Sequence, residues 1–151
     1  MRAALLGLLV VLGARAEAQR APTWELRVPE RIDVALGASG VLPVAIAVDR
    51  GLTVSKDAPV IVALAPAVGV TIKKRRLGRP DAVDPEADAP RFAIPVRGDT
   101  TGEHVVKLHL KLWLCGGKIC KPLDIRRQTT IVVAAPTALV DAGTDARHRP
   151  R

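Results

Sequence analysis

HVVKLHLKLWLC, residues His104 to Cys115, is the stretch that decides the fold of this 151-residue chain. Apolar and polar side chains alternate along it, which is the period of a strand with one buried face. The apolar face is made of Val106, Leu108, Leu110, Leu112 and Leu114. The opposite face is made of Lys107, His109, Lys111 and Trp113. The pattern predicts a long strand that lies along a hydrophobic core.

Shorter runs rich in β-branched residues surround this strand. Those before it are VAIAV (44–48), PVIVALA (59–65), VGVTI (68–72) and RFAIPV (91–96), and LDIRRQTTIVV (123–133) follows it. Pro95 indicates a sheet edge or a strand end, because proline donates no hydrogen bond to a ladder. Amphipathic helical patterns are absent. About seven or eight short strands predict an all-β fold, a two-sheet β-sandwich with a cysteine-bearing hairpin.

The two ends of the chain differ in composition from this body. Residues 1–18 carry a basic Arg2, then an apolar run over 3–14, then small residues, which is the order of a secretory signal peptide. The run is shorter than the roughly 20 residues of a spanning helix; an uncleaved anchor is the alternative. We therefore predict an exported, periplasmic protein with a sandwich domain over residues 22–135 and a disordered tail over 136–151.

The chain is basic, with a formal net charge of +8. The export signal and the scarcity of aromatic residues exclude nucleic acid as a partner, since only Trp24, Phe92 and Trp113 are available for base stacking. The segment 73–90 is first basic and then acidic and contains three prolines, which predicts a long surface loop. We expect the protein to be a monomer.

The two cysteines, Cys115 and Cys120, end the long strand and begin the next one. Placing them opposite each other leaves residues 116–119 as a four-residue hairpin loop. In this register Lys111 lies opposite Asp124, a pair of opposite charges that stabilises adjacent strands. The apolar faces of both strands then point the same way, whereas a slip of one residue would reverse one of them.

The same register makes predictions for the residues around the tip. Trp113 lies beside Pro122 on the outer face, where the ring is either a docking anchor for a partner or a packing contact across the strands. Arg127 points inward opposite Leu108, which predicts a bulge near 126–127 or a position beyond the core.

Two uses of the cysteine pair fit the residues equally well. A structural staple is the usual role in exported proteins, but a loop this short stabilises by only about 2 kcal/mol in the chain-entropy model. A redox pair is favoured by the two glycines of the loop, which leave the sulfurs exposed, and by Lys118 and Lys121, which flank Cys120 and favour its thiolate.

A metal site is the weaker interpretation. Zinc needs one or two ligands besides the two sulfurs. His109 shares their face but lies six residues from Cys115, about 20 Å along a strand. We predict neither a metal nor a cofactor, with copper(I) on the two sulfurs as the remaining alternative.

The segments GLTVSKDAPVIVALAPAVGVTI (51–72), FAIPV (92–96), GEHVVKLHLKLWLC (102–115) and CKPL (120–123) give the chain a layout that resembles a known family. It is similar to the N-terminal periplasmic domain of the thiol:disulfide interchange protein DsbD. The similarity covers roughly residues 44–133. Its most specific element is a cysteine pair on a strand hairpin with a proline soon after the second cysteine.

The resemblance implies an immunoglobulin-like sandwich that works as a component of a protein-disulfide reductase. Its cysteine pair would relay electrons between periplasmic thioredoxin-like or other disulfide-bearing proteins. By motif position, Cys120 would attack partner disulfides and Cys115 would resolve the mixed disulfide. The transmembrane and thioredoxin-like domains of the family are absent from this sequence, so a separate membrane protein is the expected electron donor.

The family's protective cap loop falls by position at residues 73–78. There Leu77 is the one apolar residue left to cover the thiols. The predicted residues for partner docking or shielding are therefore Trp113, Pro122, Leu77, Lys118 and Lys121.

Overall fold

The computed structural model describes residues 23–136, and most of them lie in ten strands. In chain order these are β1 (Trp24–Arg27), β2 (Arg31–Ala35), β3 (Ser39–Val48), β4 (Leu52–Val54), β5 (Ile61–Pro66), β6 (Val70–Thr71), β7 (Arg76–Leu77), β8 (Arg91–Gly98), β9 (Gly102–Gly116) and β10 (Ile119–Ala134). The predicted signal peptide (1–18) and the predicted tail beyond residue 136 lie outside the described residues.

The strands form two sheets. The first has the order β1-β3-β8-β6, and the second has the order β2-β10-β9-β5-β7, with β4 paired to the tip of β9. The predicted all-β, immunoglobulin-like two-sheet sandwich is confirmed. Over residues 23–136, one 3-10 turn at Arg79–Asp81 is the sole helical element, and no helix there is long and apolar enough to cross a membrane.

The core lies between the inner faces of the two sheets and follows from the alternation in the sequence. Along β8, every second residue is buried, beginning with Phe92 and Ile94. The predicted apolar face of β9 is buried along its whole length, from Val106 at 0% exposed to Leu114 at 8%. Each such aliphatic side chain contributes about 1.5–3 kcal/mol when it leaves water, so this one strand supplies a large part of the hydrophobic stabilisation.

The β9–β10 hairpin has the predicted register. Cys120 pairs with Cys115, and Asp124 pairs with Lys111, in a ladder that runs without interruption to Val133 opposite Gly102. The predicted four-residue loop is wrong, because residues 116 and 119 pair as well. The turn consists of Gly117 and Lys118 alone, and Gly117 has φ +60°, the positive value that glycine supplies in tight hairpin turns.

Arg127 lies at the open side of the sandwich, without a bulge. It pairs with Leu108 in the unbroken ladder and is exposed. Its side chain lines a groove together with Leu26 and Val28 of the opposite sheet. Of the two alternatives predicted for Arg127, the position beyond the core is therefore confirmed and the bulge is wrong.

Pro95 lies on a sheet edge, as predicted. On one side it pairs with Val41 of β3. On the other side β6 reaches only Arg97 and Gly98. Because no strand within residues 23–136 pairs with Pro95 on that side, the N–H that proline lacks would have had no partner in the ladder.

The first two strands cross from one sheet to the other. β1 pairs antiparallel with β3 in the first sheet, and β2 pairs parallel with β10 in the second. Pro29 lies at the crossing, where its carbonyl accepts a hydrogen bond of 2.7 Å from the hydroxyl of buried Thr129. A strand that changes sheets closes one side of a sandwich, and this feature has no simple signal in the sequence.

The segment 73–90 is more ordered than the predicted surface loop. Leu77 pairs with Val62 at the edge of the second sheet, and Arg79 anchors the remainder of the segment. The Arg79 guanidinium donates hydrogen bonds of 2.9–3.1 Å to the carbonyls of Val54, Ser55, Pro85 and Ala87. These bonds tie the segment to β4. Most of the segment is a surface loop, as predicted, but the short strand β7 and the anchor at Arg79 were missed.

Candidate functional site

The cysteine pair closes the tip of the hairpin. Cys115 and Cys120 form a disulfide, with their Cα atoms 4.0 Å apart. On its other side Cys115 pairs with Thr53 of β4. Cys115 is therefore held between two strands, whereas within residues 23–136 the strand of Cys120 has a partner at this point only on the side of β9.

Exposure differs between the two cysteines. Cys115 is half-buried and Cys120 is exposed. A thiolate from outside therefore has the easier approach to the sulfur of Cys120. The roles that the family resemblance implies, with Cys120 attacking and Cys115 resolving, stay predictions.

Trp113 lies where the register placed it, across from Pro122 on the outer face. Its exposed fraction is 41%, and Pro122 is exposed as well. Because Cys115 and Trp113 are two residues apart on one strand, the ring and the disulfide lie on the same face. The prediction that Trp113 docks a partner stays a prediction.

The two lysines that flank Cys120 in sequence lie in different environments. Lys118 is in the turn and exposed, but Lys121 is the strand neighbour of Cys120 and points to the opposite face. There Lys121 lines a groove with Trp24 and Leu52. Lys121 therefore does not flank the sulfur of Cys120, and the expected double cationic environment of Cys120 is wrong.

Leu77 does not cover the disulfide. It is 7% exposed and belongs to the core. Its partner Val62 pairs in turn with Leu110, five residues before Cys115, which is about 16 Å along the strand. The expectation that Leu77 shields the thiols is wrong.

An acidic residue near the centre of the hairpin's outer face binds two basic ones. Oδ1 of Asp124 lies 2.6 Å from Nε2 of His109, which is its diagonal neighbour on β9. Oδ2 lies 3.4 Å from Nζ of Lys111, the residue directly opposite. The hydrogen bond from His109, with a smaller contribution from Lys111, holds the pKa of Asp124 below its ordinary value of 3.8. The sequence predicted the Lys111 pair but missed His109. Nowhere in residues 23–136 do three or more potential metal-binding side chains cluster.

The inner face of the tip borders a groove that the sequence analysis missed. A groove of about 440 Å³ lies at the tip, and Trp24, Leu52, Ile119 and Leu123 are among its lining residues. Ile119 is 64% exposed. The signal was present in the alternation, because Ile119 and Leu123 lie on the same face of β10 as the buried Ile125.

Fold and site together define a disulfide-bearing immunoglobulin-like domain. No protein-family model matches the chain, and no curated protein matches it. Seventeen chains of solved structures do match. The sequence identities, given in the next paragraph, are low, so these similarities concern the fold alone.

One similar structure is native alpha-2-macroglobulin from Escherichia coli from domain MG7 to the C-terminus (18% identity, TM-score 0.46, 76% of this chain). The chain spans only 17% of that structure's length. Others are AggA, the major subunit of aggregative adherence fimbriae type I from Escherichia coli (9% identity, TM-score 0.40, 76% of this chain and 96% of that one), and murine CRIg (10% identity, TM-score 0.30, 76% and 98%).

Proposed function

We propose that the chain is an exported, non-catalytic immunoglobulin-like domain that binds a partner through its hairpin tip, which the Cys115–Cys120 disulfide pins. The observation that carries the proposal is apolar exposure on both faces of that tip. Trp113 is exposed on the outer face and Ile119 on the inner one. Large exposed apolar side chains around a small groove are typical of interaction sites.

The disulfide supports binding by reducing its entropic cost. A protruding hairpin end would otherwise lose conformational freedom when a partner orders it, at about 0.5–1.5 kcal/mol for each immobilised side chain. The cross-link between Cys115 and Cys120, together with the pairing of Cys115 to Thr53, fixes the tip before binding. Preorganisation of this kind raises affinity without any added contact.

A second candidate, thiol–disulfide exchange, is favoured by the exposure of Cys120. In that function a partner thiolate attacks the sulfur of Cys120, the Cys115–Cys120 bond breaks, and Cys115 leaves as a thiolate that takes up a proton. The partner's second thiol then attacks the partner's own sulfur in the mixed disulfide and releases Cys120. The partner is oxidised to a disulfide and this domain is reduced to a dithiol. The resemblance to the DsbD family supports this candidate.

The reduction potential of the pair separates the two functions. The full chain is equilibrated with glutathione buffers, and the fraction of disulfide is measured by thiol alkylation and mass spectrometry. A pinned structural bridge gives a potential below about −300 mV, and an exchange pair a higher one. Cys115→Ser is then incubated with an oxidised thioredoxin-like protein, and Cys120→Ser serves as the matched control. Accumulation of a mixed disulfide by Cys115→Ser alone would replace the binding proposal with the exchange function.

The binding proposal itself is tested at the apolar tip. A photo-cross-linker at Lys118 is used to identify a partner in extracts of the exported fraction, and its affinity is then measured with purified protein. Trp113→Ala with Ile119→Ala should weaken binding at least tenfold, since buried aromatic anchors dominate such interfaces. Val68→Ala, at a residue 96% exposed outside the tip, is the control. Equal affinities for the two variants would refute binding through the tip.

A further inference from the structure

Strand β10 has an unpaired edge over most of its length. β2 pairs only with Thr130–Ala134, so residues 119–129 lack a partner on that side within the described chain. The amide of Thr130 donates a 2.9 Å hydrogen bond to the carbonyl of Glu30, away from β9. Because backbone groups alternate in direction along a strand, the amides of Asp124, Arg126 and Gln128 point the same way, toward the open edge.

Pro122 fits this alternation, since it stands in the ladder at an even position. Its missing N–H faces the edge, where proline is tolerated. Proline also interrupts the edge near the tip. The continuous stretch that can accept another strand therefore runs from Asp124 to Gln128, with the outward amides of residues 124, 126 and 128. The carbonyl of Arg126 accepts a hydrogen bond of 3.0 Å from the guanidinium of Arg127, which an added strand would have to displace.

The surroundings of this edge are cationic. Arg126 and Arg127 lie on it, and Lys107 lies on the adjoining strand opposite Gln128. None of these three forms an ion pair with another residue of the described range 23–136. Asp124 is occupied by His109 and Lys111. The edge therefore offers unneutralised positive charge to whatever approaches it.

A groove of about 770 Å³ opens beside the edge and has a mixed lining. Leu26, Val28 and Leu108 belong to its apolar part, and Glu30, Lys107, Arg126 and Arg127 are its charged residues. Side chains of an added strand would alternate between the two faces of the sheet. On the outer face they would meet Arg126 and Lys107.

We propose that the edge from Asp124 to Gln128 binds an extended peptide segment with alternating apolar and acidic side chains, which joins the second sheet as an additional strand. Backbone hydrogen bonds hold the segment. Its apolar side chains enter the groove and its acidic ones face the arginines and the lysine. A second copy of this chain is a poorer occupant, because edge-to-edge pairing would bring Arg126 and Arg127 of both copies together.

The test uses the full chain and two synthetic heptapeptides, one alternating Glu with Val and one alternating Lys with Val. Fluorescence anisotropy gives the affinity. We expect the glutamate peptide to bind at least tenfold more tightly than the lysine peptide at low salt. Amide hydrogen exchange at Arg126 and Gln128 should slow on binding, because their N–H groups become donors to the new strand.

A pair of substitutions at one position isolates the backbone contribution. Arg126→Pro removes an outward N–H and a charge, whereas Arg126→Ala removes the charge alone. Neither touches the ladder with β9, since residue 126 points its amide away from that strand. The proline variant should bind at least tenfold more weakly than the alanine variant, with melting temperatures alike.

Equal binding by the two variants would overturn strand addition, and so would failure of the glutamate peptide to bind. A dimer in sedimentation that Arg126→Pro dissociates would show a second copy at the edge and overturn the peptide partner. If deletion of residues 137–151 is required before the peptide binds, the chain's own C-terminal segment is the occupant and the proposal of a partner fails. These outcomes do not depend on the hairpin tip, so the proposed tip function stands or falls separately.

Discussion

Removal of the disulfide by Cys115→Ala with Cys120→Ala should lower the free energy of unfolding by about 2 kcal/mol. The cross-link closes a loop with a sequence separation of only 5. In the chain-entropy model a loop of about six residues loses roughly 7 cal/mol/K of entropy in the unfolded chain, which is about 2 kcal/mol at 25 °C. The ladder should persist without the cross-link, because the strands pair at positions 115 and 120 and Thr53 pairs with position 115 from the other side.

Urea denaturation followed by tryptophan fluorescence measures the effect, with reduced wild-type protein as the control for the lost side chains. The melting temperature should fall by about 10 °C, at several degrees per kcal/mol for a domain of this size. The amide resonances of Leu112 and Leu123 should be unchanged. A loss above about 4 kcal/mol, or a disrupted ladder in the double variant, would refute the view that the disulfide stabilises the fold mainly by restricting the unfolded chain and in the folded state constrains only the tip.

Three further predictions concern other parts of the sandwich. Arg79→Lys should lower the free energy of unfolding by about 2–4 kcal/mol in chemical denaturation, because one ammonium cannot replace a guanidinium that binds four carbonyls. The control is Arg76→Lys, at the exposed residue of β7, which should change the free energy of unfolding by less than about 0.5 kcal/mol. Equal losses in the two variants would contradict the anchoring role of Arg79. His109→Ala should raise the pKa of Asp124 toward 3.8 in a carboxyl NMR titration. Because the pKa of Asp124 is lowered in the folded protein, the carboxylate stabilises the fold at pH values above 3.8, and this contribution is lost as the pH falls below 3.8. An unchanged pKa of Asp124 in His109→Ala would contradict His109 as the cause of the shift. Gly69→Ala should cost more than about 2 kcal/mol, because φ is +99° and an added Cβ would lie 2.3 Å from the His104 ring, whereas Gly37→Ala, with a positive φ but open space around it, should cost about 1 kcal/mol; the reverse order would refute the steric argument.

The hairpin was predictable because its information lies in the side chains themselves. Alternation fixed which face of β9 is buried, and the charges of Lys111 and Asp124 fixed the register. The position of Lys121 was predictable by the same alternation, although adjacency in sequence suggested a cation beside the sulfur of Cys120. Strand geometry decides that case, since neighbouring residues point to opposite faces.

Features held by backbone carbonyls were not predictable. Arg79 binds the carbonyls of Val54, Ser55, Pro85 and Ala87, and a carbonyl is present at every residue whatever its side chain. The pattern of charges and prolines in 73–90 therefore predicted the loop but not its anchor. The crossing of β1 and β2 between sheets is hidden for a related reason, because short strands at an edge carry little periodicity.

The parallel pairing of β2 with β10 determines how the domain would respond to a pulling force. Tension applied at Thr23 and Pro136 first loads β1, which precedes β2 and pairs with β3. Once β1 has detached, the tension draws β2 toward its N-terminal end and β10 toward its C-terminal end. The two strands run in the same direction and pair from Arg31 opposite Thr130 to Ala35 opposite Ala134, so the load acts along them in shear. All the hydrogen bonds between these strands must then break together instead of one after another. A domain tethered at these two points should therefore yield abruptly, at a higher force than a hairpin that is peeled open from its ends.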